Sequence, residues 1–282
     1  MTVEIATHRQ QQTQIQQETQ RDWKQQVIAS FDRAATLYDD HAEVQQSVAN
    51  HLAALITQHV SPTTIQRGTE IGCGTGFLTS HLLTEYPAVD WQISDASPQM
   101  VQRCQQKLKL TCGNRQIQFD VLDGEHLTLQ EPTNLIASSL TFQWFVDLQT
   151  SIGRLFRQLS PGGWLCFSLL HETNFAELKN SFPALATRLN RPVSEADLHG
   201  FFQQLDCDER YTSTEEFRVE FPNLTRLLHS LKAIGANVTS SAKSVDDWST
   251  LRQMVRQSDA ENEPVTADYR VMFVLARKRG GQ

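Results

Sequence analysis

The stretch Glu70-Ile71-Gly72-Cys73-Gly74-Thr75-Gly76 constrains this chain more than any other. It follows a short strand-like segment and runs into Phe77-Leu78-Thr79-Ser80-His81-Leu82-Leu83, which reads as an amphipathic helix. Glycines at alternate positions let the backbone turn without a Cβ clash and bring amides close to a ligand. Free N–H groups at the start of the following helix favour a negatively charged ligand group. Dinucleotide sites use Gly-x-Gly-x-x-Gly. Here the third glycine comes one residue early and Phe77 stands where a small residue would, which favours a cofactor without a pyrophosphate.

Glu70, directly before the loop, places an acid at the strand's end. Together they suit an amino acid, with its carboxylate on the loop amides and its ammonium near Glu70. S-adenosylmethionine carries that pair of charges. In its strand-turn-helix setting the loop resembles the first motif of the class I S-adenosylmethionine-dependent methyltransferases. The competing reading is a tight turn that packs a helix on a sheet.

A chain of 282 residues, 39% hydrophobic and 20% charged, suits a soluble globular protein of one large domain or one domain with an insertion. A formal net charge of -7 argues against nucleic-acid binding, which needs a basic stripe. It leaves room for an acidic partner on a local basic patch. Five cysteines without paired ligand spacing read as reduced thiols in a cytoplasmic protein and suggest no metal site. No apolar run is long enough to cross a bilayer, and no secretory h-region is present.

Residues 1–24 are rich in glutamine and read as a flexible or partly helical tail. Val27, Ile28, Phe31, Ala34, Ala35 and Tyr38, then Val44, Val48, Leu52, Leu55 and Ile56, fall at helical intervals. Residues 25–60 are therefore expected to hold helices joined near Asp39-Asp40-His41. Pro62 breaks the run, and a first strand leads into Ile71, although Arg67-Gly68-Thr69 is polar for a buried parallel strand. Further strands are expected from Val89 to Asp95, Ile117 to Leu122, Asn134 to Ser139 and Trp164 to Leu170. Helices are expected between them, the last from Leu148 to Leu159, stopped by Ser160-Pro161-Gly162-Gly163. Tyr211 to Phe221 and Tyr269 to Ala276 add two strands. Strands separated by helices imply an α/β fold with a doubly wound, mostly parallel seven-stranded sheet. Helical stretches over about 171–200 and 222–262 are expected to form a lid above the cofactor crevice, in one domain spanning 25–278.

Asp95 ends the second strand nineteen residues beyond Gly76, a place from which an acid accepts hydrogen bonds from ribose hydroxyls. Helix capping is the alternative. Several stretches together resemble the malonyl-acyl-carrier-protein O-methyltransferases of biotin synthesis. They are Phe31 to Ala42, Leu140-Thr141-Phe142-Gln143-Trp144, Ser230-Leu231-Lys232-Ala233-Ile234-Gly235-Ala236 and the strand from Tyr269, within a similarity over about 27–278. The resemblance implies S-adenosylmethionine held by Glu70, Gly72, Cys73, Gly74, Gly76, Asp95, Ala96, Asp123, Gly124 and Ser139. It implies that Asp123 approaches the adenine's exocyclic amine; on spacing alone Asp123 reads equally as a turn residue.

The implied reaction moves the sulfonium methyl onto the free carboxylate of a malonyl thioester, on acyl carrier protein or coenzyme A, giving a methyl ester. A carboxylate of pKa about 4 is already ionised at neutral pH, so no general base is needed. What remains is alignment of oxygen, carbon and sulfur, worth about 7–11 kcal/mol at best. A buried malonyl carboxylate needs a cation, and Lys232, with His229 one turn earlier, is the expected partner; a solvated helix face is the alternative. Tyr38 is expected to close over the methyl group or donate to the substrate, and Gln143 with Trp144 to line the acceptor pocket. Core packing is the other reading of Tyr38 and Trp144. An acidic carrier protein would dock on cations drawn from Arg188, Arg191, Arg226, Lys232 and Lys243. The competing functions are a methyltransferase for another small acid or metabolite, a nicotinamide-dependent oxidoreductase, and a non-catalytic binding protein of the same fold.

Overall fold

The computed structural model describes residues 2–108, 117–182, 193–236, 245–261 and 263–280. The seven strands are β1 (Arg67–Ile71), β2 (Asp90–Asp95), β3 (Ile117–Val121), β4 (Thr133–Ser139), β5 (Leu159–Leu170), β6 (Cys207–Phe221) and β7 (Val265–Lys278). They form one sheet in the order β3-β2-β1-β4-β5-β7-β6. The first five run parallel, and β7 lies antiparallel between β5 and β6. This is the doubly wound, mostly parallel sheet that the strand spacing predicts.

The described helices are α1 (Thr2–Ala34), α2 (Tyr38–His41), α3 (Glu43–His59), α4 (Phe77–Glu85), α5 (Pro98–Leu108), α6 (Leu148–Arg157), α7 (Ala176–Ser181), α8 (Glu195–Gln203), α9 (Leu224–Ala233) and α10 (Val245–Glu261). Alternation along β7 divides two cores: Val271, Phe273 and Leu275 meet Leu52 and Ile56 of α3, whereas Met272, Val274 and Ala276 meet Ile152 and Phe156 of α6. Because both faces of the sheet are covered, the middle of β5 and of β7 is buried on both sides.

The polar β1 finds its explanation in β2. A Cβ at Gly68 would lie 2.4 Å from the Trp91 ring, so glycine lets that indole lie across β1. Thr69 and Glu70 are buried beside it, and exposed Arg67 pairs with Glu131.

α1 is unbroken across residues 24 and 25, where a tail was expected to give way to the domain. Residues 2–34 contain neither glycine nor proline, and glutamine is a good helix former. Of the stretches expected to form the lid, α9 reaches the front of the molecule beside α2, and Gly235 just past it abuts Phe31 of α1. α8 instead backs the sheet: Leu198 and Phe202 join the α6 core, with the Phe202 ring 6.3 Å from that of Phe167. Part of the helical stretch expected over about 171–200 lies outside the described residues.

Candidate active site

A cavity opens above the carboxyl ends of β1, β2 and β4. In open α/β sheets this is where ligands bind. The glycine loop forms its floor. Gly72 has φ +72°, and a Cβ there would lie 2.0 Å from Thr141 Oγ1, so no side chain fits. Gly74 has φ +52°, and a Cβ there would meet nothing within 4 Å, because it would enter the cavity. Gly72 and Cys73 each donate their amide to Ser94 O, at 2.8 and 2.9 Å, which fixes the loop to β2.

Asp95 completes that unit. Its Oδ2 accepts from Gly74 N at 2.9 Å and its Oδ1 from Ser97 N at 2.8 Å. Burial pushes its carboxyl above the usual range, and these backbone donors oppose that rise.

Glu70 is 1% exposed, and its Oε2 has no hydrogen-bond partner. Burial pushes its pKa up to about 8; a hydrogen bond from Thr79 works against this and the nearby Asp95 adds to it. A buried carboxylate with an idle oxygen, on the wall of a cavity, calls for a cationic or hydrogen-bonding ligand group. The ammonium of an amino acid fits it. The open space above Gly74 fits the rest of such a ligand.

At the other end of the cavity lie Leu122, Asp123 and Gly124. Asp123 Oδ1 accepts from Glu125 N at 3.0 Å and pairs with Lys24 Nζ at 3.1 Å. Lys24 also donates to Glu125 Oε2 at 2.9 Å and to Trp144 O at 3.2 Å. Its ammonium stands 4.9 Å from the centre of the Phe145 ring. Val27, Ile28 and Phe31 of α1 roof the cavity, and Gln45 and Ala49 of α3 line it. Tyr38 lines it too, its ring 6.2 Å from that of Phe77. Burial, with Asp95 and Asp39 adding to it, raises the Tyr38 phenol, which stays a neutral donor at physiological pH.

The structure thus gathers Tyr38, Glu70, Gly72, Cys73, Gly74, Asp95, Ala96, Asp123, Gly124 and Ser139 around one cavity. Trp144 lines it as well, edge-on to Phe31 at 5.3 Å. Four expected residues do not line it. Gly76, at φ +95°, caps α4, and a Cβ there would lie 3.0 Å from Cys104 Sγ, so it serves the helix packing. Gln143 turns to the sheet, where its Oε1 accepts from Leu170 N at 3.3 Å. His229 and Lys232 are exposed, because α9 buries Leu224, Leu227 and Leu231 and so turns both to solvent. Arg188, Arg191 and Lys243 lie outside the described residues.

What the sequence reading missed is the roof. Lys24 stands one turn before the apolar pair Val27-Ile28, and that helical face was its signal. Among the described residues, no group of three or more His, Cys, Asp or Glu side chains could hold a metal ion, and no helix is long and apolar enough to cross a membrane.

Residues 69–163, from β1 into β5, match a family described as a methyltransferase domain. A malonyl-acyl-carrier-protein O-methyltransferase of Anoxybacillus flavithermus is 32% identical over 258 residues, which is 89% of this chain and 96% of the relative. One from Magnetococcus marinus is 31% identical, covering 88% of this chain and 90% of the relative. The chain belongs to the malonyl-acyl-carrier-protein O-methyltransferase family. The matched length thus runs far beyond the glycine loop. The biotin biosynthesis bifunctional protein BioCD of Bordetella avium is 32% identical over 86% of this chain but only 50% of its own length. Among solved structures, YcgJ of Bacillus subtilis superposes with a TM-score of 0.58 at 14% identity, covering 82% of this chain and all of the other. The plantazolicin methyltransferase BpumL, solved in complex with SAH, gives 0.51 at 13% identity, covering 93% and 99%. At such identities these two show that the family's fold is shared, and no more.

Proposed function

We propose that this chain transfers the methyl group of S-adenosylmethionine to the free carboxylate of a malonyl thioester on acyl carrier protein, giving the methyl ester that primes biotin synthesis. The observation that carries the reading is Glu70, buried with an idle oxygen, beside a glycine loop whose middle position opens into the cavity. When bound, S-adenosylmethionine supplies an electrophilic methyl group on a positively charged sulfur. Glu70 would hold its ammonium, the loop amides its carboxylate, Asp95 its ribose and Asp123 its adenine amine.

Lys24 is the only cation among the described residues lining the cavity, and it is engaged by Asp123 and Glu125. The acceptor's carboxylate is therefore assigned to neutral donors, the Tyr38 phenol and the Gln45 amide, in place of Lys232 and His229. Neutral donors suit a nucleophile, since a tight ion pair would lower its reactivity. The roof of Val27, Ile28 and Phe31 excludes water from the carboxylate oxygen.

Lys232 and His229 gain a different role. Arg226, His229 and Lys232 recur every three residues on the exposed side of α9, which makes a stripe beside α2, whose Tyr38 lines the cavity. We assign this stripe to docking of an acidic carrier protein, for which complementary charge sets the rate of encounter. The test is mass spectrometry of malonyl-carrier protein after incubation with the enzyme and S-adenosylmethionine, with malonyl-coenzyme A and free malonate in parallel. A methyl mass increment on the carrier is expected; equal turnover of unrelated acids would defeat the carrier-protein assignment.

A further inference from the structure

The ion pairs at Lys24 join segments about a hundred residues apart, and they do so at the cavity's edge. Lys24 is 9% exposed, and its ammonium meets Asp123 Oδ1 at 3.1 Å, Glu125 Oε2 at 2.9 Å and Trp144 O at 3.2 Å. Glu125, 4% exposed, spends its other oxygen on Asp147 N at 2.7 Å. Asp123 spends Oδ1 on Lys24 and on Glu125 N and lines the cavity; among the described residues its Oδ2 has no partner. The lysine therefore fixes which oxygen of Asp123 faces the ligand.

The same lysine holds α1 shut. Between Lys24 and Phe31, α1 supplies one wall of the cavity, so a ligand seated there lies against this part of the helix. The roof's far end is tied separately: Asp32 Oδ1 accepts from Ser97 Oγ at 2.8 Å and from Gln99 N at 3.0 Å, at the start of α5. Asp32 thus anchors the carboxyl end of the strap, and Lys24 fastens the part that covers Asp123 and Gly124.

We infer that Lys24 is a positioning residue: it latches α1 over the adenine end of the cofactor site and, through the same contact, aims Asp123 at the adenine amine. This rests on the cofactor reading above. Closure of α1 and retention of the cofactor are then one event, and exchange of cofactor for demethylated product requires the Lys24 ion pairs to break.

The test is binding of S-adenosylhomocysteine to the full chain, followed by stopped-flow release and by hydrogen exchange of α1 with and without ligand. In the parent enzyme the ligand should protect α1 between residues 24 and 31. Lys24→Ala should raise the release rate by about tenfold or more and abolish that protection, because a buried charge pair that loses one member changes the off-rate most. Glu125→Gln should have the same sign, and the double variant should be no worse than the worse single one, since both act on one contact. Lys24→Arg should restore most of the retention, which a packing defect would not. Release from Lys24→Ala within twofold of the parent, with α1 still protected, would overturn the latch while leaving the cofactor reading intact. Failure of the parent to bind S-adenosylhomocysteine at all would overturn both.

Discussion

Gly74 donates its amide hydrogen to Asp95 Oδ2 at 2.9 Å, so the glycine loop and the end of β2 stand as one unit on the cavity floor. Neither residue can be altered without disturbing the other's hold on a ligand. Gly74→Val is the sharper probe, because its side chain would project into space that the protein leaves open. The left-handed backbone at φ +52° adds a strain of about 1–2 kcal/mol to the folded state. Binding of S-adenosylhomocysteine, followed by calorimetry, should fall below detection while the far-ultraviolet circular dichroism stays that of the parent. Retained affinity would show that the loop serves the fold alone.

Glu70 makes cofactor binding depend on pH. Its pKa is pushed up to about 8 by burial, from an ordinary value near 4.5, so at neutral pH the empty site holds it mostly protonated. Sign follows from that direction: stability is fully present below the ordinary value and is lost as pH rises through about 8, because the buried group must then ionise. A bound ammonium favours the carboxylate, so binding at pH 7 should release protons and affinity should climb with pH toward 8. Calorimetry at pH 7 in buffers of different ionisation enthalpy measures the protons released. Glu70→Gln should flatten both profiles, and an unchanged slope would remove Glu70 from the ammonium site.

Tyr38→Phe removes a neutral donor and keeps the ring against Phe77. A hydrogen bond to a charged group contributes about 1.5–3 kcal/mol, so kcat/KM for the malonyl substrate should drop roughly 10- to 150-fold. Affinity for S-adenosylhomocysteine should stay within about twofold, since such a loss would lie with the acceptor alone. Equal losses for both ligands would place Tyr38 in general packing.

Charge reversal on α9 separates docking from chemistry. Arg226→Glu combined with Lys232→Glu should raise KM for malonyl-carrier protein and invert its salt dependence, while leaving turnover of malonyl-coenzyme A unchanged. Both side chains are exposed, so thermal stability should move by no more than about 0.5 kcal/mol. A parallel loss with both thioesters would return Lys232 to the pocket.

What could be read from the chain alone follows the range of the interactions involved. The loop, Asp95 at the end of β2 and the helix stop before Ser160-Pro161-Gly162-Gly163, which lies at the start of β5, are local patterns that the chain alone records. β1 was harder, since Gly68 looks like a strand breaker until Trp91 of the neighbouring strand is seen to need its missing Cβ. The roof was harder still. Lys24 and Glu125 are separated by 101 positions, and no periodicity records such a partnership. His229 and Lys232 illustrate the converse: their spacing fits a pocket wall and a solvated face equally well, and only the burial of Leu227 and Leu231 decides between them.

Gly235 turns out of α9 at φ +75°, with the Phe31 backbone 3.1 Å from where its Cβ would be. The absent methyl is a spacer that sets how closely the end of α9 can lie against α1, which roofs the cavity. If the carrier docks on α9 as proposed, its arrival is felt one hydrogen atom away from the helix that covers the donor's site.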